Sequence, residues 1–273
     1  MSNNEQDHIV FFSGGISSFF TAKRVVEKFG KERTRLLFTD TLYEHEDLYE
    51  FLREGAEYLG AELVWIKEGR NPWEVFRDVR FLGNSRIDPC SRVLKREPAQ
   101  KWVRENYPDP ETCVLYLGLN YDEKHRLERS SRYWQPYRVE SPLMEKPYLT
   151  KNDMISQLRD LDILVPDLYE AGFPHNNCGG FCVKAGQAHF RKLLRNYPEK
   201  YDECEAKERE MQGVLGKEVT ILNEVVNGEK RNLSLKVLRE RDLSECNLFD
   251  WGGCGCFSDI PEEENMENQI NRD

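Results

Sequence analysis

At 273 residues the chain is long enough for one large α/β domain or two smaller ones, which excludes a mini-protein without a sizeable core. With 39% hydrophobic and 32% charged residues and a mean hydropathy of −0.72, it is polar, yet its 11% aromatic content excludes disorder throughout. The net charge of −10, half of it in the acidic stretch 258–273, excludes attraction to nucleic acid or membrane by global charge and leaves room only for a local basic patch.

Residues 8–12 (HIVFF) read as a short buried strand that runs into Ser-Gly-Gly and then a segment, 17–29, with apolar residues at helical spacing. A second strand is expected at 35–39, then an acidic helix over 44–59 with Leu48, Phe51, Leu52 and Leu59 on one face. Strands at 62–66 and 113–119 flank a helix expected at 92–105. Strands alternating with helices imply right-handed crossovers and a mostly parallel sheet covered on both faces. After about residue 120 the pattern changes: Arg126, Arg129, Arg132 and Arg138 mix with Tyr133, Trp134 and Tyr137. The second half reads as mostly helical, at 150–161 (Thr150 capping, Asp153 three residues on), 183–196, 198–211 and 233–241. A strand over 219–226 leads into the turn Asn227-Gly228. The last 14 or so residues lack apolar periodicity and read as disordered.

No apolar run approaches the roughly 18 residues of a membrane span. The start MSNNEQDHIV lacks the basic and apolar regions of a signal peptide, so a cytoplasmic protein with no membrane partner is expected. Eight cysteines are far too few for a disulfide scaffold of this length, and clustered cysteines in a reducing compartment point to metal or redox chemistry.

Ser13-Gly14-Gly15-Ile16-Ser17-Ser18 follows a strand and opens a helix, where backbone N–H groups and the helix dipole make an anion site that two glycines let a phosphate approach. A plain turn before a helix would read the same way. No Lys follows the glycines, so the loop is not of the Walker type. Three further segments share its order along the chain: Asp40-Thr41 with Glu44 after the second strand; Asp88-Pro89-Cys90-Ser91-Arg92-Val93-Leu94-Lys95-Arg96-Glu97-Pro98; and Gly118-Leu119-Asn120-Tyr121-Asp122-Glu123, then Arg126. Together they resemble the PP-loop superfamily and, within it, the phosphoadenylyl sulfate reductase relatives, over roughly residues 9–197. A final Gly253-Cys254-Gly255-Cys256 is similar to a stand-alone branch common in phage genomes.

The resemblance implies a Rossmann-like parallel sheet of the adenine nucleotide alpha hydrolase type with a mostly helical, cysteine-containing C-terminal part. The expected organisation is a nucleotide-binding α/β domain over 1–149, a cysteine-bearing region over 150–257 and an acidic tail over 258–273. It further implies nucleotide contacts from Ser13, Gly14, Gly15, Ile16, Ser17, Ser18, Asp40, Thr41 and Gly118, and catalytic roles for Asp40, Lys95 and Arg96 with ATP and Mg2+. An exposed helix face is the other reading of Lys95 and Arg96. Ser17 stands where many ATP-cleaving members carry Asp, Ser91 replaces the second Cys of the reductase pair, and no Glu-Cys-Gly ending is present.

Cys178-Gly-Gly-Phe-Cys182 and Cys254-Gly-Cys256 are two close thiol pairs, and soft thiolates select zinc or iron-sulfur centres. By the resemblance, Cys90, Cys178 and Cys182 fall where the reductases place cluster ligands, although those pairs are spaced Cys-x2-Cys. One of Cys254 or Cys256 would then complete a 4Fe-4S site. The competing readings are zinc held by Cys178, Cys182, Cys254 and Cys256, and no metal at all. Cys113, inside an apolar strand, reads as a core residue, and Cys204 and Cys246 as inert or surface thiols.

His175-Asn176-Asn177 abuts the first pair and reads as an element ordering a cluster or binding substrate, or as a polar turn. His45 reads as a solvated helix start, and His8, His125 and His189 show no convergent partner. Arg126, Arg129 and Arg132 with Tyr133 and Trp134 read first as a solvated face and second as a nucleic-acid or nucleotide surface. The leading functional expectation is an ATP-cleaving enzyme that adenylates an oxygen of its acceptor and replaces it with sulfur, the acceptor being RNA, a DNA base or a small metabolite. The alternatives are a sulfonucleotide reductase and a nucleotide-sensing module without turnover.

Overall fold

Five strands, β1 (Asp7–Phe11), β2 (Thr34–Asp40), β3 (Glu62–Lys67), β4 (Cys113–Tyr116) and β5 (Arg138–Glu140), form one parallel sheet in the order β3-β2-β1-β4-β5. The computed structural model describes residues 6–84, 87–241 and 249–252. In register, Ile9 of β1 stands opposite Arg35 of β2 and Leu115 of β4. Because successive strand residues point to opposite faces, β1 feeds two cores: Val10 packs with Phe19, Phe51 and Val114, and Ile9 with Leu37, Leu115 and Trp134. Burial on both faces explains why HIVFF and CVLY carry near-continuous apolar runs instead of an alternation.

Helices α1 (Ile16–Phe29) and α2 (Glu46–Leu59) cross over between the first strands, and α3 (Pro72–Asp78) begins at an Asn71/Glu74 capping box. A short α4 (Pro89–Ser91) passes through a π-helical stretch (Arg92–Arg96) into α5 (Glu97–Asn106). That widened turn carries Leu94, Lys95 and Arg96 inward, all under 5% exposed, which overturns the exposed-face reading of the two cations. α6 (Lys124–Tyr133) and β5 escape sequence reading, since each offers too few apolar residues to show a period.

Beyond β5 lie α7 (Lys151–Asp160), α8 (Asp167–Glu170), α9 (Gln187–Asn196), α10 (Pro198–Leu215), the hairpin β6 (Leu222–Val226) and β7 (Glu229–Leu233), and α11 (Leu235–Glu240). The Asn227-Gly228 turn forms as expected, both residues with positive φ, but strand β7 takes up the start of the helix expected at 233–241. Packing does not divide at residue 149. Met154, Leu158, Ile163, Val165 and Tyr169 join the core of Val10, while Trp73, Phe76 and Leu82 join a third core with Phe181, Phe190 and Tyr201. No helix among the described residues is long and apolar enough to cross a membrane.

Candidate nucleotide crevice

The strand order reverses direction between β1 and β4, and in an open parallel sheet the space beyond the carboxyl ends of two such strands is where ligands bind. The glycine loop leaves β1 at this point. Gly14 sits at φ +77°, and a Cβ there would lie 2.6 Å from Leu48. Gly15 caps α1, its carbonyl accepting from the Ser18 and Phe19 N–H groups at 3.0 and 3.2 Å and from Ser18 Oγ at 2.7 Å. The first turn of α1 carries no acidic residue to compete with a bound anion. Gly118, beyond β4, touches this turn so closely that a Cβ would stand 2.8 Å from Ser18 N.

A crevice of about 400 Å³ opens between these loops, lined by Ser13, Gly15, Ile16, Ser17, Ser18 and Gly118 on one side. Three cations, Lys95, Arg126 and Lys151, line it together with Asp122, Glu123, Tyr169 and His175. Lys95 Nζ stands 3.4 Å from the buried carboxylate of Glu44, Arg126 pairs with Glu123, and Lys151 Nζ donates to the Pro174 carbonyl. The Tyr169 hydroxyl accepts from Ile16 N–H at 3.4 Å.

Behind the crevice runs the cysteine loop. Cys178, Gly179 and Gly180 all have positive φ, +55°, +57° and +81°, an unusual conformation for Cys178 that its surroundings must hold. Glu44 supplies part of that hold by accepting the Cys178 N–H, while its other oxygen accepts from Thr41 Oγ1 at 2.9 Å. Asn176, fully buried, donates from Nδ2 to the Gly14 carbonyl at 3.2 Å. His189 Nε2 meets the Gly180 carbonyl at 2.7 Å.

Cys90, Cys178 and Cys182 pack into the third core, but their three sulfurs do not all lie within 4.8 Å of one another. Cys254, Cys256 and Cys246 lie outside the described residues, as does the tail 258–273. The segment just before the Cys254 pair is fixed: Ala188 N–H donates to the Asp250 carbonyl at 2.8 Å, Gly252 bridges to Ala185, and Gly252 lines the crevice. Among the described residues, three ligand atoms gather closely only at His45, Asp47 and Asp167, on the surface.

Several sequence-predicted residues lie elsewhere. Asp40 does not line the crevice; its carboxylate accepts from Leu42 N–H (2.8 Å), Tyr49 Oη (2.9 Å) and Trp65 Nε1 (3.1 Å). Thr41 binds Glu44, and Arg96 stands 4.0 Å from buried Asp88, so neither reaches the crevice wall. Of the two aromatics read with the α6 arginines, Trp134 is buried and offers no stacking face, and Tyr133 is half-buried. Cys113 is a core thiol as expected, and Cys204 is fully buried and not at the surface; burial pushes both up to about 12. His8 has a partner after all: Nδ1 lies 2.9 Å from Tyr116 Oη. His45 is no freely solvated helix start, since Nδ1 lies 2.6 Å from Asp47. Lys151 and Tyr169 were not legible as site residues, because they come from segments outside the matching motifs, whereas His175 and Asn176 belong to the segment read as ordering a cluster or binding substrate, or as a polar turn.

The profile of the phosphoadenosine phosphosulfate reductase domain matches residues 7–180. The chain belongs to this family. The match takes in the glycine loop, Lys95, Gly118 and the segment 174–177, which all contribute to the crevice. An uncharacterized protein of Methanocaldococcus jannaschii is 24% identical over 199 residues, 72% of this chain and 40% of that protein, so the chain spans about two fifths of its relative's length. The crystal structure of a phosphoadenylyl-sulfate (PAPS) reductase from Candida auris, in complex with phosphate, is similar over 63% of this chain and 80% of that one, with 16% identity and a TM-score of 0.43.

Proposed function

We propose that the crevice binds ATP with its phosphates on the glycine loop, and that the enzyme adenylates an acceptor for exchange of oxygen by sulfur. The carrying observation is the meeting of the α1 N-terminus, the close-packed Gly118 and the cations Lys95, Arg126 and Lys151 around one space of about 400 Å³. Positive groups fixed there before reaction match the charge that develops as an acceptor oxygen attacks the α-phosphorus and pyrophosphate leaves. A sulfur nucleophile then displaces AMP from the activated acceptor. Mg2+ would share the phosphate charge. Asp122, a carboxylate lining the crevice, suits it better than Asp40, whose oxygens already accept three hydrogen bonds. Cys90, Cys178 and Cys182, with a thiol from 254 or 256, would hold an iron-sulfur centre that supplies or carries sulfur.

Sulfonucleotide reduction is the second reading, favoured by the tie through Glu44 between Lys95 in the crevice wall and the Cys178 backbone, which sets thiols beside a nucleotide site. Chromatographic separation of products from labelled ATP with Mg2+ distinguishes the two. AMP and pyrophosphate support adenylation; ADP and phosphate, or sulfite from an adenylyl sulfate with no ATP consumed, refute it. The visible absorbance of anaerobically purified protein separates a cluster from zinc.

A further inference from the structure

We infer that His175 is a ligand-contacting residue of the crevice, donating a hydrogen bond from Nε2 to the anionic part of the bound nucleotide. The inference rests on the nucleotide reading above. His175 lines the same crevice as the glycine loop, and Lys95 and Lys151 are its charged neighbours. Its Nδ1 is buried and meets no hydrogen-bond partner among the described residues, whereas Nε2, which makes no hydrogen bond there either, is not among the buried unpartnered atoms and is the nitrogen left accessible in a half-buried ring that lines the crevice. A buried N–H without an acceptor is rarer and costlier than a buried acceptor without a donor, which places the single proton of the neutral ring on Nε2. Burial and the charges of His189, Lys151 and Lys95 hold the ring well below the usual histidine pKa, so the donor is neutral near pH 7.

The ring is also fixed in direction. It stacks on His189 with centroids 5.3 Å apart and 21° between planes, and His189 is held in turn by the Gly180 carbonyl at 2.7 Å. His189 likewise leaves Nδ1 buried and unpartnered, but its Nε2 is already bonded to the Gly180 carbonyl. An imidazole held this way, beside two lysines in a crevice that the α1 N-terminus also lines, meets an oxyanion without first having to be ordered.

Calorimetric titration of the full chain with ATP, inorganic pyrophosphate and adenosine, in wild type, His175→Phe, His175→Gln and His175→Asn, tests this. Phe keeps the stacked ring and removes the donor, so pyrophosphate and ATP should bind about ten- to a hundredfold more weakly, with adenosine unchanged. Gln can place an amide N–H near the Nε2 position and should recover part of the loss; Asn, whose amide falls near Nδ1, should not. Wild-type affinity for pyrophosphate in the folded Phe variant, an equal loss for adenosine, or recovery by Asn in place of Gln would each overturn the assignment. If wild type binds neither ATP nor pyrophosphate, the nucleotide reading itself falls, and this inference with it.

Discussion

Asn176 donates from Nδ2 to the carbonyl of Gly14 across 162 positions of sequence, so the loop that precedes Cys178 and the loop that opens α1 are held as one unit. A second tie runs from Lys95 through Glu44 to the Cys178 N–H. Both ties join the backbone around the cysteine loop to elements that frame the crevice.

Asn176→Ala removes a buried donor and leaves the Gly14 carbonyl without it, which costs about 1–3 kcal/mol. Urea unfolding should show that loss, and calorimetry should show weaker ATP binding even where the protein is folded. Unchanged ATP affinity would mean that the tie does not shape the glycine loop.

Gly118→Ala forces a Cβ to within 2.8 Å of Ser18 N, a contact with backbone that no side-chain rotation relieves. Loss of stability together with weakened nucleotide binding is expected. Gly213→Ala, in α10 with open space around it, is the control and should stabilise by about 0.5–1 kcal/mol through helix propensity. The pair separates close backbone approach from a general intolerance of replacing glycine.

Asp40→Ala should lower stability by freeing the Leu42 N–H, the Tyr49 hydroxyl and the Trp65 indole, while leaving ATP affinity of the folded protein nearly as it was. The emission of Trp65 should shift with loss of its partner. A large, selective loss of Mg-ATP binding without destabilisation would restore Asp40 to the site.

Glu208 joins α10 to both ends of the hairpin by accepting from Ile221 N–H at 2.9 Å and Leu235 N–H at 2.8 Å, and burial raises its pKa from 4.5 to about 7. The folded state therefore binds more protons than the unfolded one between these values, so this carboxyl's contribution is fully present below 4.5 and is lost as pH rises through about 7. Its upper bound is roughly 3 kcal/mol. Urea midpoints at about pH 5 and pH 8 should show wild type losing ground to Glu208→Gln at the higher pH. A difference independent of pH would contradict a raised carboxyl.

The parallel sheet, the glycine loop and its position after β1 were legible in the sequence because they rest on local rules: apolar runs buried on two faces, a left-handed glycine, a helix start. Cys178 and Cys182 were legible as candidate ligands by type and spacing, and Cys90 through the family resemblance. The glycine-loop residues, Lys95 and Gly118 were also named from the sequence and line the crevice, but its remaining wall was not legible. Asp40 stands at the end of β2 where a site residue is expected, yet an indole and a phenol from β3 and α2 claim its oxygens, a choice made by packing between elements. Lys151, Tyr169, His175 and Asn176 come from segments more than 130 positions beyond the glycine loop, and only closure of the tertiary structure brings Lys151 and His175 to the same crevice and Tyr169 and Asn176 within hydrogen-bond reach of the loop. Local sequence carries the conformational preference of each segment; the partner of a buried polar atom is fixed when the cores exclude water and every remaining donor must find an acceptor inside.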